Sequence, residues 1–212
     1  QGFRADRWIH VNHPDMIENF FDRDKDGRRD GGFDGIVSLL DAIETENYRG
    51  AHVLDDAPFH IGRRAGREQV VINREFVWLQ MLNQGHRLWG IAVSDAHHVH
   101  GNGVGGWRTY VRSSTDEPSE IDWREISRRA KAGQMILTTG PYLEVETADG
   151  VPPGGHARGN DYAELKVRVS CSSWIEVDRV QVLVNGRPEP SLNFTRKSHP
   201  KLFADDVVKF DQ

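Results

Sequence analysis

Apolar and polar positions follow two different periods along the first two thirds of the chain. A strand-like run at residues 8–12 ends at His13, because the proline that follows cannot donate a hydrogen bond to a sheet. The apolar residues within 74–84 recur at helical spacing. Residues 88–93 are almost continuously apolar, which is typical of a strand buried on both faces of a parallel sheet. This succession predicts an α/β arrangement.

The last third of the chain has a different pattern. Residues 165–170 and 180–184 alternate between apolar and polar positions, which predicts half-buried strands. The dipeptide Asn185-Gly186 follows the second of them and favours a two-residue hairpin turn. Helical spacing is no longer found here. The sequence therefore predicts two domains, an α/β domain over residues 1–140 and an all-β, sandwich-like module over residues 141–212.

Composition excludes several classes of protein. With 37% hydrophobic and 28% charged residues, the chain has the balance of a globular domain and is too apolar for a disordered one. A net charge of -5 and short, acid-flanked basic clusters predict no nucleic-acid partner. No apolar run reaches about 18 residues, so no membrane span is expected. The single cysteine, Cys171, excludes an internal disulfide and a Cys-rich zinc module. Cytoplasmic and exported locations both stay open.

Histidine and aspartate gather where the predicted strands end. His13 follows the first strand, and Asp95 and His97 follow the apolar run 88–93. Residues two apart in an extended segment point the same way, so Asp95 and His97 can reach one site together. Carboxylate and imidazole are usual ligands of zinc, iron and manganese, and an open site of this kind activates water. Each motif taken alone is also common at ordinary strand ends, and the neighbouring His98 and His100 are expected to be exposed loop residues.

An acidic stretch early in the chain has the spacing of a calcium loop. Alternate carboxylates can converge on one Ca²⁺ while the glycine after them permits a sharp turn. The twelfth position of the stretch, a bidentate Glu in an EF-hand, is Phe33, so an EF-hand is excluded. A smaller calcium loop and a plain acidic surface loop both stay open. The candidate calcium ligands are Asp22, Asp24, Asp26 and Asp30.

The order of these motifs resembles the PHP family of metal-dependent hydrolases, and most closely its carbaryl-hydrolase-like branch, often called CehA/McbA. Residues 82–111, which include Ser94 to His97, are similar to the last metal motif of that family. The string Asn12 to Pro14 resembles an earlier metal motif, and residues 43–47 resemble its Glu/Asn strand. Residues 138–141, with the β-module after them, also match, so the resemblance covers nearly the whole chain.

The resemblance implies a TIM-like fold, the C-terminal portion of a distorted (β/α)7 barrel, with two or three divalent transition metals (zinc, manganese or iron) at the strand ends. It implies that His13, Asp95 and His97 are metal ligands, with Asp95 on a different metal from the one shared by the two histidines. Glu44 and Arg108 are expected to line the site, in a catalytic or a supporting role. The implied activity is hydrolysis of a small-molecule phosphoester, or of a carbamate, amide or ester, by metal-activated water.

The chain departs from the family pattern at its start. A His-x-His pair is expected there, yet none precedes Asn12, and the only such spacing runs from His98 to His100. One interpretation is that the chain is the C-terminal part of the enzyme. It would then need the N-terminal barrel segment, or a second copy of itself, to cover bare strand edges. The other is a degenerate relative, a non-catalytic metal- or calcium-stabilised binding module.

Overall fold

The structure is a computed structural model, and it describes residues 7–12, 39–45, 59–64, 66–72, 74–100, 103–158 and 162–212. The described strands are β1 (His10–Val11), β2 (Ala42–Glu44), β3 (Phe59–Arg64), β4 (Arg67–Ile72), β5 (Trp89–Ile91), β6 (Arg108–Val111), β7 (Met135–Thr138), β8 (Tyr142–Thr147), β9 (Leu165–Ser170), β10 (Arg179–Val184), β11 (Arg187–Thr195) and β12 (Val208–Asp211). The described helices are α1 (Arg74–Asn83) and α2 (Trp123–Lys131), with 3₁₀ turns at Pro118–Glu120 and Pro200–Leu202.

The described residues fall into two compact units. The first unit holds the described parts of residues 1–8, 92–184 and 188–212, and the second holds those of residues 9–91 and 185–187. The predicted domain boundary near residue 140 stays a prediction.

The second unit is built on a short parallel sheet. Its strand order is β1-β2-β5, and both pairings are parallel. Helix α1 covers this sheet, because Val77 and Met81 lie one turn apart on one face and pack against Ile43 and Leu88. The helix predicted at residues 74–84 is thus confirmed as α1. Strands β3 and β4 pair antiparallel in a separate two-stranded sheet.

The first unit contains an antiparallel pair, β6 and β7, joined through helix α2. The helix begins after Asp122, whose carboxylate accepts a hydrogen bond from the backbone N–H of Arg124 at 3.0 Å. It ends where Gly133 adopts a φ of 74°, which a residue with a Cβ rarely takes. Because β6 and β7 are antiparallel, α2 is not the crossover helix of a parallel β–α–β unit.

The rest of the first unit is an all-β region. Strands β8, β9 and β12 form one antiparallel sheet in the order β12-β9-β8, and β10 pairs with β11. The turn between β10 and β11 has positive φ at both Asn185 (52°) and Gly186 (73°), as a type I′ hairpin requires. The sheet and the hairpin share one core. Its buried residues are Val169, Phe203 and Phe210, with Val180 and Phe194 of the hairpin packed against them.

The expectation of a TIM-like (β/α)7 barrel portion is wrong. In the described ranges most of the regular elements are strands, with two short α-helices, and the strands divide among five sheets of two or three strands each. A barrel portion needs successive parallel strands, each followed by a helix, in one curved sheet. In the described ranges the β1-β2-β5 sheet is parallel, whereas β3–β4, β6–β7 and the β12-β9-β8 sheet pair antiparallel. The apolar and helical periods predicted the elements but could not fix the direction in which the strands pair.

Helices α1 and α2 have ten and nine residues. A bilayer span requires about 20 apolar residues, and no helix in the described part of the chain is long and apolar enough to cross a membrane.

Candidate metal site

The segment after β5 carries two of the predicted ligands, and a threonine of the next strand fixes its start. The hydroxyl of Thr109 accepts a hydrogen bond from the backbone N–H of Ala92 and donates one to its carbonyl, both at 2.9 Å. One side chain therefore satisfies both backbone groups of Ala92, in the way a neighbouring strand would. Thr109 was not among the predicted site residues. A threonine in a strand is so ordinary that the sequence gives no signal for this role.

The backbone turns sharply at Asp95. Its φ is 44°, in the left-handed region that aspartate enters more often than most residues do. Strand β5 ends at Ile91, so the segment that carries Asp95 and His97 is not an extended strand. The two residues come together through this turn, and not through the alternation of side chains that the sequence suggested.

The His97 ring is held against the backbone of Asp95. Its Nδ1 lies 2.7 Å from the Asp95 carbonyl oxygen and 3.9 Å from the carboxylate Oδ1. A carbonyl oxygen only accepts hydrogen bonds, so Nδ1 carries a proton, and in the neutral form of the ring the lone pair is on Nε2. A backbone carbonyl bonded to the second ring nitrogen is a common way of orienting a metal-binding histidine. Both side chains are accessible, at 67% and 43% exposed for His97 and Asp95.

The remaining histidines of this loop behave as loop residues. His98 and His100 are exposed, as the sequence predicted for them. They therefore provide matched imidazoles beside His97. Neither of them shows the hydrogen bond that the His97 ring makes with the Asp95 carbonyl.

Arg108 lies on strand β6 beside the threonine that contacts Ala92. Alternation along the strand places Arg108 and Tyr110 on one face and Thr109 on the other. The guanidinium carbon is 5.9 Å from the centre of the Tyr110 ring, and Nε is buried with no hydrogen-bond partner among the described residues. A role for Arg108 beside Asp95 stays a prediction.

Glu44 ends strand β2 in the second unit. It is 0% exposed, and its Oε2 lies 3.3 Å from Nη1 of Arg74 at the start of α1. A buried carboxylate is expensive unless it is paired, and Arg74 compensates its charge. This ion pair joins the sheet to the helix that covers it. A catalytic role for Glu44 stays a prediction.

The other predicted ligands lie outside the described residues. These are His13 and the four candidate calcium ligands, Asp22, Asp24, Asp26 and Asp30.

The donors of the loop fit a divalent transition metal as part of a ligand set. Asp95 offers a carboxylate, and His97 offers Nε2 on an oriented ring. Within the described ranges no three His, Cys, Asp or Glu side chains form a group that could hold a metal ion. Catalytic zinc sites use three protein ligands, so a further ligand would come from elsewhere, as predicted for His13.

Comparisons with family models, with curated proteins and with solved structures find no match to this chain. The resemblance to PHP hydrolases therefore rests on the motifs themselves and stays a prediction.

Proposed function

We propose that the chain belongs to a metal-dependent hydrolase of the PHP type. Its substrate would be a small-molecule phosphoester, or a carbamate, amide or ester. The observation that supports this proposal is the 2.7 Å contact between His97 Nδ1 and the Asp95 carbonyl oxygen. The contact leaves Nε2 as the nitrogen with the lone pair, next to an accessible carboxylate.

Each residue of the site has a defined task under this proposal. Asp95 and His97, with His13, would hold the metal ions. The Asp95 carbonyl keeps the ring proton of His97 on Nδ1, so a single orientation of the imidazole is favoured before any ligand binds. Thr109 holds the start of the loop through both backbone groups of Ala92. The divalent ion, when bound, lowers the pKa of a coordinated water toward about 7 and polarises the oxygen of the substrate.

The ligands beyond these would come from a further polypeptide segment or from a second copy of the chain. A catalytic site with two metals needs more donors than Asp95, His97 and His13 provide. Light scattering should accompany every metal analysis, because the mass of the assembly in solution shows whether a second polypeptide segment or a second copy of the chain is bound.

The test is elemental analysis of the purified full chain, together with hydrolysis of three chromogenic probes. The probes are a diaryl phosphate, an aryl acetate and an aryl carbamate. We expect zinc, manganese or iron to be bound and at least one probe to be cleaved. His97→Ala and Asp95→Ala should each lower metal content and turnover, by about 100-fold or more in turnover, since loss of an outer partner alone costs about 10–100-fold.

The matched controls are His98→Ala and His100→Ala, which remove exposed imidazoles from the same loop. Both should keep the metal content and turnover of the parent chain. If the parent chain binds no transition metal, or if His97→Ala leaves the bound metal unchanged, the proposed site is wrong. Metal binding through His97 without cleavage of any probe would instead support the non-catalytic binding module.

A further inference from the structure

The first unit contains a groove that lies outside the candidate metal site. It has a volume of about 1090 Å³, and it lies between the β6–β7 pair on one side and the β8-β9-β12 sheet on the other. A groove of this volume is large enough for a ligand of several rings. The lining residues on which the inference rests are Tyr110, Tyr142, Arg112, Glu144, Lys166 and Arg168.

Two tyrosines meet inside the groove. The rings of Tyr110 and Tyr142 stand edge to face, with centres 5.5 Å apart and planes at 89°. Both remain open to solvent, at 44% and 42% exposed. Tyrosine combines an apolar ring with a hydroxyl, so this pair offers both flat apolar surface and hydrogen bonds to a ligand that is itself amphipathic.

The charged side chains around the tyrosines are loosely paired. Nε of Arg168 lies 4.0 Å from Glu144 Oε2 and 3.9 Å from Asp211 Oδ2, and Nζ of Lys166 lies 3.9 Å from Glu146 Oε1. These distances exceed a hydrogen bond, and each of the five side chains is about half exposed. Their donors and acceptors can therefore form hydrogen bonds with a ligand. Little stability is lost if the ligand separates these ion pairs, because exposed ion pairs contribute little.

The signs of the charges narrow the class of ligand. The lining residues include three cationic side chains, on Arg112, Lys166 and Arg168, and four anionic ones, on Asp116, Glu144, Glu146 and Asp211. Such a mixed surface offers no net attraction to a polyanion or a polycation. A neutral polyhydroxyl ligand fits it better, because every hydroxyl both donates and accepts.

We propose that this groove binds a neutral oligosaccharide. The apolar C–H faces of the sugar rings would lie on Tyr110 and Tyr142, and the hydroxyls would bridge the interleaved carboxylates and cations. An extended peptide is the main competitor. It would need a free edge of β8, and one backbone N–H of that strand, on Thr147, already donates to the carbonyl of Val151.

The experiment is calorimetric titration of the full chain with four neutral tetrasaccharides: maltotetraose, cellotetraose, xylotetraose and tetra-N-acetylchitotetraose. We expect saturable binding of at least one of them, with the same affinity before and after treatment with a chelator. Tyr142→Ala should weaken that binding by about tenfold or more, whereas Tyr142→Phe, which keeps the ring, should bind within about threefold of the parent. The matched control is Tyr162→Ala, because Tyr162 is 80% exposed and does not line the groove.

Any one of three results would overturn the inference. The first is that none of the four sugars binds with saturation. The second is that Tyr142→Ala, folded as judged by its circular dichroism, binds as tightly as the parent chain. The third is that a short uncharged peptide, titrated in parallel, binds and the sugars do not. None of these results depends on metal content, so they are separable from a failure of the proposed hydrolase.

Discussion

Lys209 is among the most deeply buried side chains of the all-β region, although it carries a charge. It is 1% exposed, and its Nζ donates to the carbonyl oxygens of Ser173 and Asp205 at 3.2 and 3.0 Å. Backbone carbonyls thus take the place of the water that a lysine normally keeps. The apolar stem of Lys209 contributes to stability by packing. Its ammonium group contributes by holding two loops against β12.

Replacing Lys209 by methionine tests the second contribution. Lys209→Met keeps most of the packing but leaves two carbonyls without their donor, so we expect unfolding to become easier by about 1–3 kcal/mol. Chemical denaturation followed by tryptophan fluorescence measures this difference. The control is Lys201→Met at an exposed position, which should change stability little. Equal stability of the two variants would show that the buried ammonium adds nothing.

The pKa of Glu125, an acidic residue of α2, depends on two side chains that hydrogen-bond to its carboxylate. The hydroxyl of Ser114 donates to its Oε2 at 2.7 Å, and Nε of Arg129 donates to Oε1 at 2.7 Å. These contacts, with the Ser114 hydrogen bond as the largest cause, lower the pKa of Glu125 below its ordinary value of 4.5. The carboxylate therefore favours the folded state above about pH 4.5, and this contribution is lost as the pH falls through the lowered pKa.

Removing the hydroxyl should return that pKa toward its ordinary value. We expect the Glu125 carboxyl in Ser114→Ala to titrate at a higher pH than in the parent chain, in a nuclear magnetic resonance titration of the side-chain carbon. Ser119→Ala is the control, because the Ser119 hydroxyl donates to Glu117 and not to Glu125. An unchanged titration in Ser114→Ala would mean that Arg129 alone sets the pKa.

At the scale of elements, the loop after β5 depends on β6. Thr109 contributes both hydrogen bonds that fix Ala92, three residues before Asp95. Thr109→Val has nearly the same shape but neither bond, so we expect faster hydrogen exchange of the Ala92 amide and a loss of about 1–3 kcal/mol in stability. Thr109→Ser keeps the hydroxyl and should exchange as the parent does. Equal protection of Ala92 in the valine and serine variants would contradict this role.

Sequence patterns predicted individual helices and turns better than they predicted the architecture of the chain. The helical spacing that predicted α1 reflects burial of Val77 and Met81, and Asn185-Gly186 forms the expected hairpin turn. The apolar run 88–93 was a weaker guide. Only Trp89–Ile91 pairs as a strand, because beyond it the hydroxyl of Thr109 replaces a strand partner. The left-handed turn that brings Asp95 and His97 together has no signature in a single sequence.

At the scale of the whole molecule, sequence periodicity gave the wrong architecture. A strand, a helix and a strand in succession predict parallel strands, and this succession is present at β6, α2 and β7. The two strands nevertheless pair antiparallel, with Arg108 opposite Thr138 and Val111 opposite Met135. Periodicity indicates which face of an element is buried, but it does not indicate whether the neighbouring strand runs parallel or antiparallel.

The short parallel sheet has a consequence for the order in which the chain folds. The strands β1, β2 and β5 come from segments far apart in the sequence, so each pairing must close a long loop. The chain loses the entropy of that loop before the contacts between the strands form and offset the loss. The β10–β11 hairpin closes across two residues and can form in about 1–10 μs. We expect the hairpin to protect its amides early after dilution from denaturant, and the parallel sheet to protect its amides late. During that interval Ile43 and the apolar face of α1 are exposed together, and the nascent chain is then at its greatest risk of aggregation.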